Sequence, residues 1–181
     1  MNIRKISTLI LALTFVLTGC GDENEPENAM EQARASIDDI TTAITGELKA
    51  NLINAGAAVE EDFKDGKIPS HSVVRLKDEN FTLPIEFDKN KLEDAVVITH
   101  DMNVKSDMIV VLKAKTDADI PEVENYAKKI KEEQTKTWEN YLPDQFSKVQ
   151  NNSIKTNGRY VIYVTHDEPE KITGAIDKLF K

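Results

Sequence analysis

Hydrophobic positions in the second half of the chain switch between two periods. Val96, Ile98, His100, Met102 and Val104 alternate with mostly polar neighbours, and Met108 to Ala114 forms a second apolar run after a turn around Lys105-Ser106. Successive strand residues point to opposite faces, so this spacing predicts two strands paired as a hairpin. From Ile120 the period lengthens, and Val123, Ala127, Ile130 and Trp138 fall on one stripe of a helix reaching about Tyr141. Asp119 is its expected N-cap, Pro121 lies in its first turn and Glu122 stands at the capping-box position. Ser153 to Thr156 and Tyr160 to Thr165 then flank Asn157-Gly158, a strong hairpin signal because a type I′ turn needs positive φ at both central residues. A last helix opens with Asp167-Glu168-Pro169-Glu170 and continues through Ile172, Ile176, Leu179 and Phe180.

Strand, turn, strand and capped helix thus occur twice, and both helices open on Asp-x-Pro-Glu, at 119–122 and 167–170. The expected architecture is α+β: a four-stranded antiparallel sheet from two ββα units, with the helices on one face. A long amphipathic helix precedes it, because Met30, Ala33, Ile37, Ile40, Ile44, Leu48 and Leu52 recur at three- and four-residue steps. Asn28 is its expected cap and Gly56 its stop. Between 57 and 90 the pattern is poor. Asp65-Gly66 and Ile68-Pro69 mark turns, Val73 to Leu76 and Phe81 to Phe87 are candidates for extended structure, and Pro84 confines the second to an edge strand or none.

The first twenty residues have a different logic. Arg4 and Lys5 precede a short apolar run, Leu9 to Leu17, and then Thr18-Gly19-Cys20, which is the arrangement of a secretory signal. Such a run is too short to span a hydrocarbon core, which takes about twenty residues of helix. The layout resembles the lipobox of bacterial lipoproteins, in which the cysteine receives a diacylglyceryl group, carrying palmitate-type chains, and becomes the first mature residue. Cys20 is the single cysteine of the chain, so it has no disulfide partner within it. The expected organisation is a signal peptide over 1–19, a lipidated Cys20 with an acidic flexible tether over 20–29, and one α+β domain over 30–181 with its core in 91–180. That chain would sit on the extracytoplasmic side of the cell membrane, held there by its lipid.

Charge narrows the partners. The chain carries 23 basic and 32 acidic residues, a formal net charge of −9, and removal of 1–19 takes away Arg4 and Lys5 and no acid, leaving −11. Nucleic-acid binding draws its affinity from cations that neutralise phosphates, so a nucleic-acid partner is not expected.

A family resemblance rests on Asp94-Ala95-Val96-Val97 and Met102-Asn103-Val104, on the run Trp138 to Phe146, and on Asn157-Gly158-Arg159-Tyr160-Val161. In their order and spacing over about the last ninety residues, these resemble a family of bacterial lipoproteins described as a domain of unknown function (DUF4358). The resemblance implies a secreted, lipid-anchored domain with no established activity, and it supplies no catalytic residues.

Candidate chemistry is sparse. Thr-His-Asp occurs twice, at 99–101 and 165–167, and two imidazoles beside carboxylates could bind a metal or move protons near neutral pH. His100, however, shares the apolar register of Ile98 and Met102, and Asp167 is expected to cap a helix, so no metal or cofactor is expected and His100 and His166 stand as weak metal candidates. His71 lies between serines in the irregular segment and reads as a solvated loop histidine. The chain has no Gly-x-Ser-x-Gly elbow, phosphate loop, His-Glu-x-x-His or EF-hand loop. Trp138, Tyr141, Pro143 and Phe146 form an aromatic concentration that is either a partner surface or a core closure. The expectation is a non-catalytic binding or interaction module for an envelope protein or small ligand. The alternative is a small envelope hydrolase or metal-dependent enzyme using the histidines.

Overall fold

A computed structural model describes residues 35–181. The signal segment, Cys20, the tether, Asn28, Met30 and Ala33 lie outside the described residues. The elements are α1 (Ile37–Asn54), β1 (His71–Arg75), β2 (Leu92–His100), β3 (Met108–Ala114), α2 (Ile120–Trp138), α3 (Pro143–Gln150), β4 (Ser153–Asn157), β5 (Tyr160–Thr165) and α4 (Pro169–Asp177). The strands form an open antiparallel sheet of five, ordered β1-β2-β3-β5-β4.

Both expected hairpins form, and β3 pairs with β5 to join them. The fifth strand, β1, adds to the outer edge of β2 with His71 opposite His100 and Arg75 opposite Val96. It starts from a tight turn in which the His71 amide donates to the Ile68 carbonyl at 3.1 Å, with Pro69 and Ser70 between them. Ser70 has φ 61°. Proline first and positive φ second is the signature of a type II turn, which ordinarily takes glycine where Ser70 stands. The second extended candidate is not a strand. Leu83 of that segment is nonetheless buried, and Phe81, Ile85 and Phe87 pack against the core.

The helices lie on both faces of the sheet, not on one. Ala95, Val96, Val97 and Ile98 are all buried, as are Ile109 to Leu112 and Tyr160 to Val164, so the central strands have no solvent side. Val96, Ile98, Ile109, Val111, Ile162 and Val164 meet α1 and α4 through Ile37, Ile40, Ile44, Leu48, Ile172 and Ile176. Ala95, Val97, Val110, Leu112, Val161 and Tyr163 meet α2 through Val123, Tyr126, Ala127 and Ile130. Each fully buried Val, Leu or Ile contributes about 1.5–3 kcal/mol, so two such layers dominate stability. β2 also ends earlier than alternation suggested. It stops at His100, and Met102 is exposed in the loop beyond.

Local caps explain the element ends. α1 begins at Ile37 because Ser36 is extended and its Oγ accepts from the Asp39 amide while Asp39 accepts from the Ser36 amide. It ends as expected at Gly56: with φ 67°, that residue lets the Gly56 amide donate to Ile53 and the Ala57 amide to Leu52. Asp119 stands at the N-cap position of α2 as expected, but its side chain makes no capping hydrogen bond to the helix. It belongs to a preceding short 3-10 turn, takes the Thr116 amide and hydroxyl, and pairs with Lys91 at 2.8 Å, which together hold its carboxyl below the usual carboxylate range. Glu122 accepts instead from the Tyr126 hydroxyl at 2.8 Å. In the second hairpin Asn157 pairs with Tyr160, so Gly158 and Arg159 form the loop, with positive φ at Gly158 only, as a type II′ turn requires.

Candidate functional site

Strand order brings the histidines together. β2 and β5 both run antiparallel to β3, so their C-terminal ends arrive at the same end of the sheet, where β1 and β3 begin. His71 opens β1, His100 closes β2, and His166 follows Thr165 at the close of β5. All three line one cavity of about 600 Å³, within the range of small-molecule sites. The His71 and His100 rings lie 4.9 Å apart at 56°. The last turns of α1 supply Leu48, Asn51 and Leu52 to the same cavity. The expectation that His71 is a solvated loop residue is therefore corrected: it is a half-buried strand residue whose ring lies tilted against a second imidazole.

A buried ion pair forms another wall. Lys148 on α3 donates to both carboxylate oxygens of Asp107, at 2.9 and 3.1 Å, and lies 3.2 Å from Asp167. The Lys148 side chain is 5% exposed and that of Asp107 11%, whereas Asp167 is 76% exposed. α3 is held over this end of the sheet by Gln145, whose side chain takes the Ser106 amide at 2.9 Å and whose carbonyl takes the Ser106 hydroxyl. Asp167 is not the cap of α4, since Glu168 occupies that position, and this leaves its carboxylate for Lys148.

Backbone groups fix the imidazole tautomers. The Met102 amide donates to His100 Nδ1 at 3.0 Å, and the Glu168 amide donates to His166 Nδ1 at 3.1 Å. Each ring must offer a lone pair at Nδ1, so in its neutral form the proton is on Nε2. His71 is the reverse. Its Nδ1 lies 2.8 Å from the Pro69 carbonyl, an acceptor, so in the neutral form Nδ1 carries the proton and Nε2 keeps the lone pair. The first Thr-His-Asp differs from the second in its acid: Asp101 is tied to β1 by the Ser72 hydroxyl at 2.6 Å, and its amide donates to Ser70.

Burial, together with the adjacent His71, pushes His100 below the ordinary imidazole range. Burial also lowers His166, with Lys148 and His71 acting the same way and Asp107 and Asp167 opposing. A ring protonated at both nitrogens would further lose its backbone N–H donor at Nδ1. Both imidazoles are therefore neutral near pH 7. Their Nε2 carries hydrogen and is a poor metal ligand, and among the described residues no group of three or more His, Cys, Asp or Glu is arranged to hold a metal ion.

The aromatic concentration divides. Trp138 is buried and its Nε1 donates to Gln134 at 3.0 Å. Tyr141 is 54% exposed with its ring 5.6 Å from Trp138, Pro143 is exposed and Phe146 half-buried. Only the tryptophan closes the core. Sequence reasoning missed Asp107, Lys148 and Asn51, whose neighbours in the chain carry no motif. The doubled Thr-His-Asp was the one available signal, since it marks equivalent ends of two strands that flank β3.

The fold and cavity define a small α+β domain with a histidine-lined recess at one end of its sheet. Residues 70–166, more than half of the chain, match the family model described as domain of unknown function (DUF4358), and the chain belongs to that family. The matched span reaches from the residue before His71 to His166, so all three imidazoles and the Lys148–Asp107 pair fall within it. No curated protein and no solved structure matches the chain. Among the described residues, no helix is long and apolar enough to cross a membrane.

Proposed function

We propose that this is a lipid-anchored extracytoplasmic lipoprotein, acylated at Cys20, whose domain is a non-catalytic binding module with the histidine-lined recess as its ligand site. The observation that carries the binding reading is the convergence of His71, His100 and His166, from three separate strand ends, on one cavity of small-molecule size. The anchor reading rests on the lipobox-like residues Leu17 to Cys20. Metabolic labelling with a fatty-acid analogue, compared with Cys20→Ala, tests the anchor: label retained by the variant sinks it. Thermal-shift screening of the full chain against small metabolites tests the binding site. The expected hit stabilises the wild type and loses its effect in His100→Gln and His166→Gln, whereas a hit indifferent to both substitutions removes the recess from consideration.

A second reading is a small hydrolase using the same histidines. It is favoured by their complementary tautomers: His71 Nε2 has a lone pair to accept a proton, while Nε2–H of His100 and His166 have protons to give. Turnover of an ester or phosphodiester substrate that His71→Ala abolishes, with folding unchanged, would establish it over simple binding.

A further inference from the structure

The polar groups of the recess are unevenly matched. His100 and His166 each retain an Nε2–H after their Nδ1 is taken by backbone amides. Asn51 Nδ2 is buried with no hydrogen-bond partner, and Asn51 lines the same cavity. Buried donors without acceptors cost about 1–3 kcal/mol each, so such a group at a cavity wall marks where a ligand atom or water belongs. The carboxylates of the lining are engaged by lysines. Both oxygens of Asp107 take the Lys148 ammonium, Asp167 stands out in solvent, and Glu168 at the rim pairs with Lys171 at 2.6 Å. His71 Nε2 is the remaining lone pair on the imidazoles.

These unpartnered donors select among ligand chemistries. A hydroxyl brings a proton with each of its acceptor sites and needs an acceptor in return, whereas a carboxylate or phosphate presents oxygens alone. A metal ion would need lone pairs at Nε2 of His100 and His166, where hydrogens stand. Lys105, also on the cavity wall, makes no ion pair among the described residues and adds positive charge to the lining.

We propose that the recess binds the oxyanion of a small carboxylate- or phosphate-bearing ligand, held by Nε2–H of His100, Nε2–H of His166 and the side-chain amide of Asn51. The proposal rests on the reading that the recess is a ligand site, and narrows it to one ligand class. The anion is taken up by neutral donors on a wall stiffened by the Lys148–Asp107 pair, while the apolar side chains of Leu48 and Leu52 receive the carbon part of the ligand.

Histidine-detected nitrogen NMR on the full chain at neutral pH tests it. The spectrum should show the Nε2–H tautomer for His100 and His166 and the Nδ1–H tautomer for His71. Inorganic phosphate or acetate should shift the His100 and His166 Nε2 signals saturably, with a dissociation constant on the order of a millimolar for so small a probe. Asn51→Ala should weaken that binding about tenfold, the loss expected for a hydrogen bond to a charged oxygen. Reversed tautomers, no saturable shift with either anion, or shifts unchanged by Asn51→Ala would each overturn the proposal. The same titration with glucose and with zinc separates the two levels of the argument. If either moves these signals where both anions fail, the recess remains a ligand site of another class; if all four leave them unmoved, the ligand-site reading falls as well.

Discussion

The two ends of the sheet solve the same problem differently. At the hairpin end, Glu93 on β2 takes Lys113 from β3 and Arg159 from the β4–β5 loop, and Arg159 also donates to the Ala114 and Lys115 carbonyls. Burial pulls the Glu93 carboxyl upward, yet the two cations outweigh it and hold the group below its usual range. At the histidine end, Lys148 is likewise satisfied by Asp107, but Nε2–H of His100, Nε2–H of His166 and the Asn51 amide nitrogen have no hydrogen-bond partner among the described residues. One end closes the sheet with matched charges, and the other keeps donors in reserve. The contrast teaches that a cluster of polar residues at strand ends is not by itself a site; what distinguishes a site is the imbalance left after every local partner has been counted.

Substitutions at the two ends should separate along this line. The largest effect is expected from Lys148→Ala, which leaves the poorly exposed Asp107 carboxylate without its cation and should cost about 3–5 kcal/mol in urea unfolding. A loss below about 1 kcal/mol would mean that water reaches Asp107 freely. Next comes pH. Because His100 and His166 titrate lower in the folded chain than in the unfolded one, the unfolded state binds more protons as pH falls through the ordinary imidazole value of 6.5. Stability should therefore be full above that value and decline below it, and His166→Gln should flatten the decline in melts taken between about pH 7.5 and 5.5. Equal slopes for variant and wild type would contradict the assignment. Ser70→Gly, which relieves the positive φ beside His71, should raise stability by about 1 kcal/mol in the same unfolding assay. Smallest is Glu93→Gln at the hairpin end. Its side chain is 39% exposed, so water screens the pairs it makes, and a change under about 1 kcal/mol is expected.

Much of this fold is legible in the sequence. The α1 stripe from Ile37, the Gly56 stop, the α2 stripe from Val123 to Trp138 and the pairing of both hairpins follow from periodicity and turn chemistry, although the second turn centres on Gly158-Arg159 and not on Asn157-Gly158. The second buried face was not legible, because alternation with Thr99 and Asp94 suggested one solvated side, whereas the buried run Ala95 to Ile98 is continuous. β1 was foreshadowed only as a fragment beginning at Val73, since His71 and Ser72 look like loop residues until they pair with His100 and Thr99. α3 has too few apolar positions to announce a helix, and so Lys148 had no frame. The recess needs contacts between positions 51, 71, 100, 148 and 166, which strand order creates and local pattern cannot reveal. His100 and His166 were noticed as a repeated triplet, but their meeting depends on β3 running between β2 and β5.

One hydrogen bond gives the molecule a direction. The Tyr160 hydroxyl donates to the Ala35 carbonyl at 2.8 Å, pinning the start of the described chain beside the hairpin end of the sheet. From there α1, about 27 Å long, runs to the recess, to which its last turns contribute. The polypeptide therefore enters the domain at one pole and opens its cavity at the other. Ala35 and the recess thus stand at opposite ends of one helical rod, so a change at the Tyr160–Ala35 contact would be felt at the cavity only as a shift of α1 along its own axis.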